Sequence, residues 1–322
     1  MKKLCILGLG YIGLPTAAMF ATNGIIVHGM DVNIKVVKTL QQREIHIEES
    51  GLKPVVVKAL DSGYLTVSDK VEPSDAFIIA VPTPFKENEY GNYGGMKYKL
   101  SDMQAVTSAA ESIVPFLKRG NLVILESTSP VRTTIDLIKP ILENSGLKAG
   151  EDFYLAYSPE RVLPGQILRE LVENSRVIGG INKISAEKGK DLYSSFVKGE
   201  IVLTDSSTAE MVKLMENTYR DINIAIANEF SRLAVRYGVD VWEAISIANR
   251  HPRVKILNPG PGVGGHCISV DPWFFVESAP ELSNLILTAR QVNDSQPNFV
   301  VNTVKHILGS VKEKNICVLG LS

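Results

Sequence analysis

Three glycines near the N-terminus constrain the fold of this chain more than any other feature. Gly8, Gly10 and Gly13 follow a short apolar segment and open a helical one, and Asp31 ends the next apolar segment. In such a unit the first glycine permits a tight turn, the second lets a pyrophosphate approach the backbone, and the third lets helix and strand pack closely. The start of the helix also favours the phosphate charge. The pattern predicts a βαβ unit that binds a dinucleotide.

Asp31 indicates which dinucleotide is bound. A carboxylate at this position accepts hydrogen bonds from the adenosine ribose hydroxyls and repels a 2′-phosphate, which favours NAD over NADP. The alternative interpretation is an ordinary tight turn that binds no ligand.

Apolar strands alternate with helical segments over the first 205 residues, which predicts a doubly wound, Rossmann-like parallel sheet covered on both faces. The further strands are predicted at 76–82, 121–128, 153–161, 176–180 and 200–205. The polar segment 86–100, rich in Gly and Tyr, is predicted to be a mobile surface loop.

Polar residues stand where several of these strands end, which is where ligands bind in open α/β sheets. They are Thr83 in AVPTP, Thr128 in ESTSP, and Glu160 with Arg161 in SPER. The alternatives are strand-end turns for the threonines and a solvated loop for the charged pair.

After Asp205 the chain runs to Gly238 without an internal Gly or Pro, which predicts one long helix. Ser207 and Glu210 have the spacing of a capping box, and Gly238 suits the C-terminal stop. Lys213, Asn217 and Arg220 share one face of this helix and suit an anionic ligand, although they also fit a solvated helix face. More helix is predicted after it.

Cys267 lies in a glycine-rich loop, GPGVGGHC, and Asp271 follows four residues later. Gly262, Gly264 and Gly265 add no packing, so another group is expected to approach this backbone closely. Backbone N–H groups of such a loop stabilise a thiolate and bind an oxyanion. The alternative is a buried, inert thiol. A nucleophilic thiol and an NAD site in one chain predict two oxidations, in which an aldehyde is trapped as a thiohemiacetal and oxidised to a thioester.

Composition excludes several other classes of function. The net charge is −1, with 45% hydrophobic and 21% charged residues and no basic cluster, which argues against nucleic acid and membrane partners. Three distant cysteines suggest a reducing cytoplasm rather than a disulfide framework. The histidines lack metal-ligand spacing, and no apolar stretch reaches about 18 residues. The expected partner is a small metabolite, with no metal.

Several longer strings are more specific than the glycine pattern: GLGYIGLP, AVPTP, ESTSP, SPER, AEMVKLMENTYRDINIAIANE, and GGHC with Asp271. Through them the chain resembles the UDP-glucose/GDP-mannose dehydrogenase family along essentially its whole length. The resemblance implies four-electron oxidation of the C6 alcohol of a UDP-sugar to a uronate with two NAD. ERVLPGQ and the segment 248–273 resemble the family members that act on UDP-N-acetyl-D-mannosamine.

The resemblance also implies roles for individual residues. Cys267 would be the nucleophile, Lys213 the general acid/base helped by Asn217, and Asp271 and Glu160 would assist the hydrolytic water. Substrate contacts are expected from Arg161, Val162, Lys213, Asn217, Arg220, His251, Arg253 and Gly264. NAD contacts are expected from Gly8, Gly10, Tyr11, Ile12, Gly13, Asp31, Thr83, Thr128 and Thr134.

Three regions follow from this resemblance. An NAD-binding domain is expected at 1–203, a central helical domain at 204–305 that forms a homodimer through the long helix, and the start of a truncated UDP-binding domain at 306–322. Arg132 departs from the family, which often has glycine there.

Other functions stay open at this stage. The sugar could be UDP-N-acetylglucosamine or UDP-glucose, which an assay of the UDP-sugars would separate. The chain could be a catalytically silent NAD-binding dimer, or a two-electron hydroxyacid dehydrogenase that has no need of Cys267.

Overall fold

A computed structural model describes residues 2–265 and 267–320. The chain forms two compact units. The first comprises the residues up to Phe85 and Asp102–Lys213, and the second comprises Lys86–Ser101 and the residues from Leu214 onward. The three-region division expected from the sequence stays a prediction.

An eight-stranded sheet organises the first unit. Its strands are β1 (Lys3–Leu7), β2 (Ile26–Met30), β3 (Leu65–Ser68), β4 (Ala76–Ile79), β7 (Leu122–Leu125), β8 (Tyr154–Tyr157), β9 (Arg176–Gly180) and β10 (Ile201–Asp205). They lie in the order β10-β9-β8-β7-β4-β1-β2-β3. Every neighbouring pair is parallel except β8 and β9, which are antiparallel.

Helices cover both faces of this sheet. They are α1 (Gly13–Thr22), α2 (Ile34–Gln41), α3 (Leu52–Asp61), α4 (Gln104–Ile113), α5 (Lys139–Glu143), α6 (Ile167–Glu173) and α7 (Lys183–Tyr193), with a 3₁₀ turn at Val114–Phe116 and a π-helical turn at Thr134–Ile138. Alternate residues of one strand enter different cores: Leu4 and Ile6 pack in one cluster, Cys5 and Leu7 in the other. Since successive strand side chains point to opposite faces, this pattern is what a doubly wound sheet requires. The predicted fold class is confirmed.

The strand order reverses at β1, which lies between β2 and β4. The chain winds outward from β1 to β3 and then returns to the other side of β1 as β4. In an open parallel sheet such a reversal opens a crevice at the carboxyl ends of the strands, where ligands bind. The loops after β1 and β4 both begin there.

The second unit is mainly helical. Most of α8 (Ser206–Tyr237) belongs to it, followed by α9 (Val241–Ala248), α10 (Asp271–Ser278) and α11 (Asn284–Leu308). No helix in the described ranges is long and apolar enough to cross a membrane.

The prediction of a mobile loop at 86–100 is wrong. This segment forms a hairpin of β5 (Phe85–Tyr93) and β6 (Met96–Ser101). Gly94 and Gly95 form its two-residue turn with φ of 58° and 81°, which glycine adopts without strain. The Ser101 N–H donates to a Glu277 carboxylate oxygen of α10 at 2.9 Å, so the hairpin is tied to a helix of its own unit.

Two further local predictions are wrong. The long helix is capped by Asp205, whose carboxylate accepts from the N–H and hydroxyl of Thr208, and not by a Ser207–Glu210 box. The apolar residues of KNICVLGLS, 314–322, predict the opening of a further strand and glycine turn, but residues 314–320 form no strand, because no neighbouring strand within the described part of the chain pairs with them. Leu321 and Ser322 of that segment lie outside the described residues.

Candidate active site

The glycine loop of the first unit lies against the loop after β4. Gly8 has φ +92°, and a Cβ built on it would lie 2.5 Å from the Ala80 carbonyl oxygen. A Cβ on Gly13 would overlap the Gly8 carbonyl oxygen. Gly10 differs, because no heavy atom lies within 4 Å of its Cβ position. Two of the glycines are therefore required by the packing of the protein, while the third leaves open space for a ligand.

Asp31 holds this loop in place. One carboxylate oxygen accepts from the Leu9 N–H at 2.9 Å and the other from the Asn33 N–H at 2.8 Å. Each carboxylate oxygen has a second lone pair, so hydrogen bonds from ribose hydroxyls remain available. Tyr11 is half exposed and Ile12 is partly buried. Together with the open Gly10, these residues fit a dinucleotide.

The loops after β4 and β7 are joined by Thr83, whose hydroxyl donates to the Thr128 carbonyl at 2.8 Å. Thr134 is fully buried, and its N–H and hydroxyl donate to one oxygen of Glu210 at 2.8 and 2.6 Å. The Arg132 N–H donates to the other oxygen. Thr134 therefore uses its hydroxyl within the protein, and Glu210 clamps the segment after β7.

The backbone conformation at Arg132 explains why the family often has glycine at this position. Its φ is +76°, in the left-handed region that glycine adopts readily. Its guanidinium forms a salt bridge with Asp136 one helical turn later, and its backbone N–H is held by Glu210. These contacts compensate for the unfavourable backbone conformation.

A buried charge cluster, which the sequence did not predict, lies where β7, β8 and β9 meet. Arg176 forms salt bridges with Glu126 and with Glu160, the latter at 2.8 Å, and its Nε donates to Ser158 at 2.8 Å. The Tyr193 hydroxyl donates to Glu126 at 2.9 Å, and the guanidinium lies 3.8 Å from the centre of the Tyr193 ring. Burial raises the pKa of Glu126 despite the neighbouring Arg176. An arginine that begins an apolar strand was the one available signal.

This cluster fixes Glu160, and Glu160 in turn contacts Lys213. The Lys213 ammonium donates to the Glu160 backbone carbonyl at 2.8 Å, and the lysine is 8% exposed. A buried ammonium held by one carbonyl retains two donors for a substrate oxygen. Arg161 directs its guanidinium to Ser175, and Val162 is partly buried.

In the second unit Asn217 donates to a carboxylate oxygen of Asp271 at 2.6 Å, and both side chains are buried. Asp271 is the first residue of α10. Cys267 is exposed, and its carbonyl accepts from the Val270 and Asp271 N–H groups at 3.0 and 2.9 Å. Cys267 thus lies one turn before a helix that begins with a buried, hydrogen-bonded carboxylate.

The other predicted substrate residues are on the surface of the second unit. Arg220, His251, Arg253 and Gly264 are exposed. On α8 the predicted shared face therefore divides into two buried residues, Lys213 and Asn217, and one exposed cation, Arg220. His266 lies outside the described residues, and no cluster of potential metal ligands occurs among those described.

Two family profiles match the chain. The NAD binding domain of the UDP-glucose/GDP-mannose dehydrogenase family matches residues 2–197, and the central domain of that family matches residues 207–295. A UDP-N-acetyl-D-mannosamine dehydrogenase from Methanococcus maripaludis is 54% identical over 322 residues, which cover 99% of this chain and 72% of the relative. An NDP-N-acetyl-D-galactosaminuronic acid dehydrogenase from Ralstonia nicotianae is 50% identical and covers 100% of this chain and 75% of the relative.

A solved structure shares the fold. The native structure of the UDP-N-acetyl-mannosamine dehydrogenase Cap5O from Staphylococcus aureus superposes with a TM-score of 0.89 at 49% identity. The match covers 100% of this chain and 74% of that chain.

Proposed function

Because the chain belongs to the UDP-glucose/GDP-mannose dehydrogenase family of NAD-dependent oxidoreductases, we propose that it oxidises UDP-N-acetyl-D-mannosamine at C6 to UDP-N-acetyl-D-mannosaminuronate. The observation that carries a four-electron reaction is the exposed Cys267 directly before α10, next to the buried Asp271–Asn217 pair. A single hydride transfer requires a base and a cofactor but no thiol.

NAD, held by the glycine loop and Asp31, would accept a hydride from C6 in each of two oxidations. In the proposed first step Lys213, after its ammonium has lost one proton to solvent, takes the proton of the C6 hydroxyl as the alcohol becomes an aldehyde. The Cys267 thiolate then adds to the aldehyde carbon, and Lys213 with Asn217 stabilises the resulting oxyanion as a thiohemiacetal. Loss of the second hydride converts this adduct to a thioester on Cys267.

Hydrolysis of the thioester completes the proposed cycle. Asp271 and Glu160 orient and deprotonate the attacking water, which breaks the C–S bond and releases the uronate and the Cys267 thiolate. One sugar and one water therefore consume two NAD and give two NADH. Arg161, Arg220, His251 and Arg253 are proposed to bind the UDP-sugar through its phosphates and hydroxyls.

The test is the ratio of NADH formed to UDP-N-acetyl-D-mannosamine consumed by the 322-residue chain, with Cys267→Ser in parallel. We expect two NADH per sugar, lost in the variant. One NADH per sugar, or an unchanged yield of uronate in the variant, would reject the thioester route.

The sugar is tested in the same assay. UDP-N-acetylglucosamine, UDP-glucose and UDP-N-acetyl-D-galactosamine are compared with the proposed substrate at equal concentration. The galactosamine compound is included because of the name of the Ralstonia relative. The mannosamine assignment requires the largest kcat/KM for UDP-N-acetyl-D-mannosamine, and equal values would contradict it.

We also propose that two copies of the chain associate through α8. Exposed apolar side chains recur along this helix at the spacing of one face: Met215, Tyr219, Ile226, Phe230, Leu233 and Tyr237. A groove of about 330 Å³ continues this surface between the end of α8 and α9. An apolar stripe of this length exceeds the scattered exposure usual for a monomer and is self-complementary in a two-fold dimer.

The proposed location of the protein is the reducing cytoplasm, because the reaction requires Cys267 as a thiolate.

A further inference from the structure

The segment that carries Cys267, taken from Gly260 to Asp271, is the second half of the connection between α9 and α10 and is held at both of its ends. At the downstream end, the N–H groups of Val270 and Asp271 donate to the Cys267 carbonyl, and Asp271 is paired with Asn217. At the upstream end, the Gly260 N–H donates to the side-chain oxygen of Asn228 at 2.9 Å. Asn228 lies on α8 and is fully buried.

The upstream end also packs on α11. Gly262 has φ +146°, and a Cβ on it would lie 3.1 Å from Pro297 Cγ. Pro297 lies inside α11 and lacks the N–H that would normally donate to the Asn293 carbonyl four residues earlier. The segment therefore crosses α11 in close contact, at a turn with one fewer helical hydrogen bond.

Asn228 is itself held by a row of buried polar side chains that are hydrogen-bonded to one another. Its amide nitrogen donates to the Asn293 side-chain oxygen at 2.9 Å. The Asn293 amide nitrogen donates to the Asp221 carboxylate at 2.8 Å and to its backbone carbonyl at 3.0 Å. Arg290 stands at the end of this row and forms a salt bridge with Asp221 at 2.5 Å. All four side chains are at most 1% exposed.

The orientation of each amide in this row of hydrogen-bonded side chains is fixed by its neighbour, because a carboxylate paired with arginine only accepts hydrogen bonds. The Asn293 NH₂ group must therefore face Asp221, which leaves its oxygen facing Asn228. The Asn228 NH₂ group must then face Asn293, and its oxygen faces the Gly260 N–H. A flipped amide at either position would leave buried polar atoms unpaired, which is unfavourable away from water.

We propose that Asp221, Asn293 and Asn228 are positioning residues that fix the upstream end of the Cys267 segment and so set the position and reactivity of the thiol. This inference rests on the proposed function, in which Cys267 is the nucleophile. Loss of these buried hydrogen bonds would let the segment shift, so that the Cys267 thiol no longer holds its position before the N-terminus of α10, which favours a thiolate.

The experiment compares Asn228→Ala and Asn293→Ala with the unmodified chain. Asn302→Ala is the matched control, because it makes the same chemical change at an exposed position of α11. The rate of iodoacetamide alkylation at Cys267 is followed by peptide mass spectrometry from pH 6 to pH 9. Cys317, exposed in the same chain, is the internal reference.

We expect alkylation of Cys267 at pH 7 to be at least about threefold slower relative to Cys317 in both variants, with its pH midpoint raised by about half a unit. The control should match the unmodified chain. Turnover should show a lower kcat with the KM for NAD within about twofold. Because Asn293 acts through Asn228, alkylation of Cys267 in the double variant should be no slower than in Asn228→Ala.

An unchanged Cys267 midpoint in folded Asn228→Ala would overturn the proposal. If that variant fails to fold, Asn293→Ala decides, since it leaves the Gly260 acceptor in place. The alkylation readout needs no sugar. If the unmodified chain oxidised none of the UDP-sugars while the Cys267 midpoint still shifted, the proposed function would fail and the positioning role would stand.

Discussion

Gly10 and Gly13 belong to the same short motif, but their surroundings differ. The Cβ position of Gly10 faces open space, whereas that of Gly13 overlaps a backbone carbonyl oxygen. We expect Gly13→Ala to lower the free energy of unfolding by about 3 kcal/mol, because the backbone has to shift. Gly10→Ala should keep its Tm and weaken NAD binding at least about tenfold. Thermal denaturation and calorimetric titration with NAD measure the two effects, and equal losses of Tm would contradict the distinction.

Glu210 makes stability depend on pH. Burial raises its pKa from 4.5 to about 7, so between these values the folded chain holds a proton that the unfolded chain releases. The stabilising contribution is complete below pH 4.5 and is lost as the pH rises to about 7. We expect the free energy of unfolding to fall by about 3 kcal/mol over this range relative to Glu210→Gln. Urea denaturation at several pH values measures this difference, and parallel curves would rule it out.

Short-range roles were predictable from the sequence, and long-range ones were not. The spacing of Gly8, Gly10 and Gly13 specifies how each is used, because the motif is local. Glu210 was expected to cap its own helix, but it binds Thr134, 76 residues earlier in the chain. A carboxylate in either role has the same sequence pattern, so only tertiary structure distinguishes them.

Three strands meet at the Arg176 cluster. Among the helices and strands, we expect substitution here to have the largest effect on the free energy of unfolding. Arg176→Met leaves Glu126 buried without its cation and should destabilise the first unit by about 3–5 kcal/mol. Adding Glu126→Leu should recover part of this stability by removing the buried charge. Activity should not recover with it, because Glu160 still lacks the partner that holds it.

Arg169→Met is the control for this cluster, since its salt bridge with Glu173 on α6 is exposed. The free energy of unfolding of Arg169→Met should differ little from that of the unmodified chain. Urea denaturation and NADH formation are measured on all variants. A double variant with the kcat of the unmodified chain would show that Arg176 does not position Glu160.

Apolar strands were the most predictable elements. The buried run at β9 was predicted with its observed bounds, because both faces of this strand are covered. The hairpin of β5 and β6 was missed because its strands are rich in polar residues and β5 is largely exposed. The resemblance named the family and NAD correctly, and both are confirmed. Arg176 and the Asn228–Asn293 pair were missed, because buried polar contacts between distant segments have no local pattern.

Association through α8 is a property of the whole molecule. Leu233→Glu places a charge in the apolar stripe and should convert the proposed dimer to a monomer, because a carboxylate in an apolar interface loses its hydration. Ile184→Glu is the control, since Ile184 is equally exposed on α7 of the first unit. Light scattering after size-exclusion chromatography gives the mass of each. A Leu233→Glu variant of unchanged mass would exclude this surface.

We propose that the oxidised sugar passes through a covalent thioester on Cys267. The most direct measurement is the intact mass of Glu160→Gln after mixing with NAD and UDP-N-acetyl-D-mannosamine, followed by peptide mapping. Slowed hydrolysis should let one UDP-uronyl group per chain accumulate on Cys267, and Cys267→Ser should carry none. Uronate formed without any adduct on Cys267, and at the same rate by Cys267→Ser, would exclude the thioester intermediate.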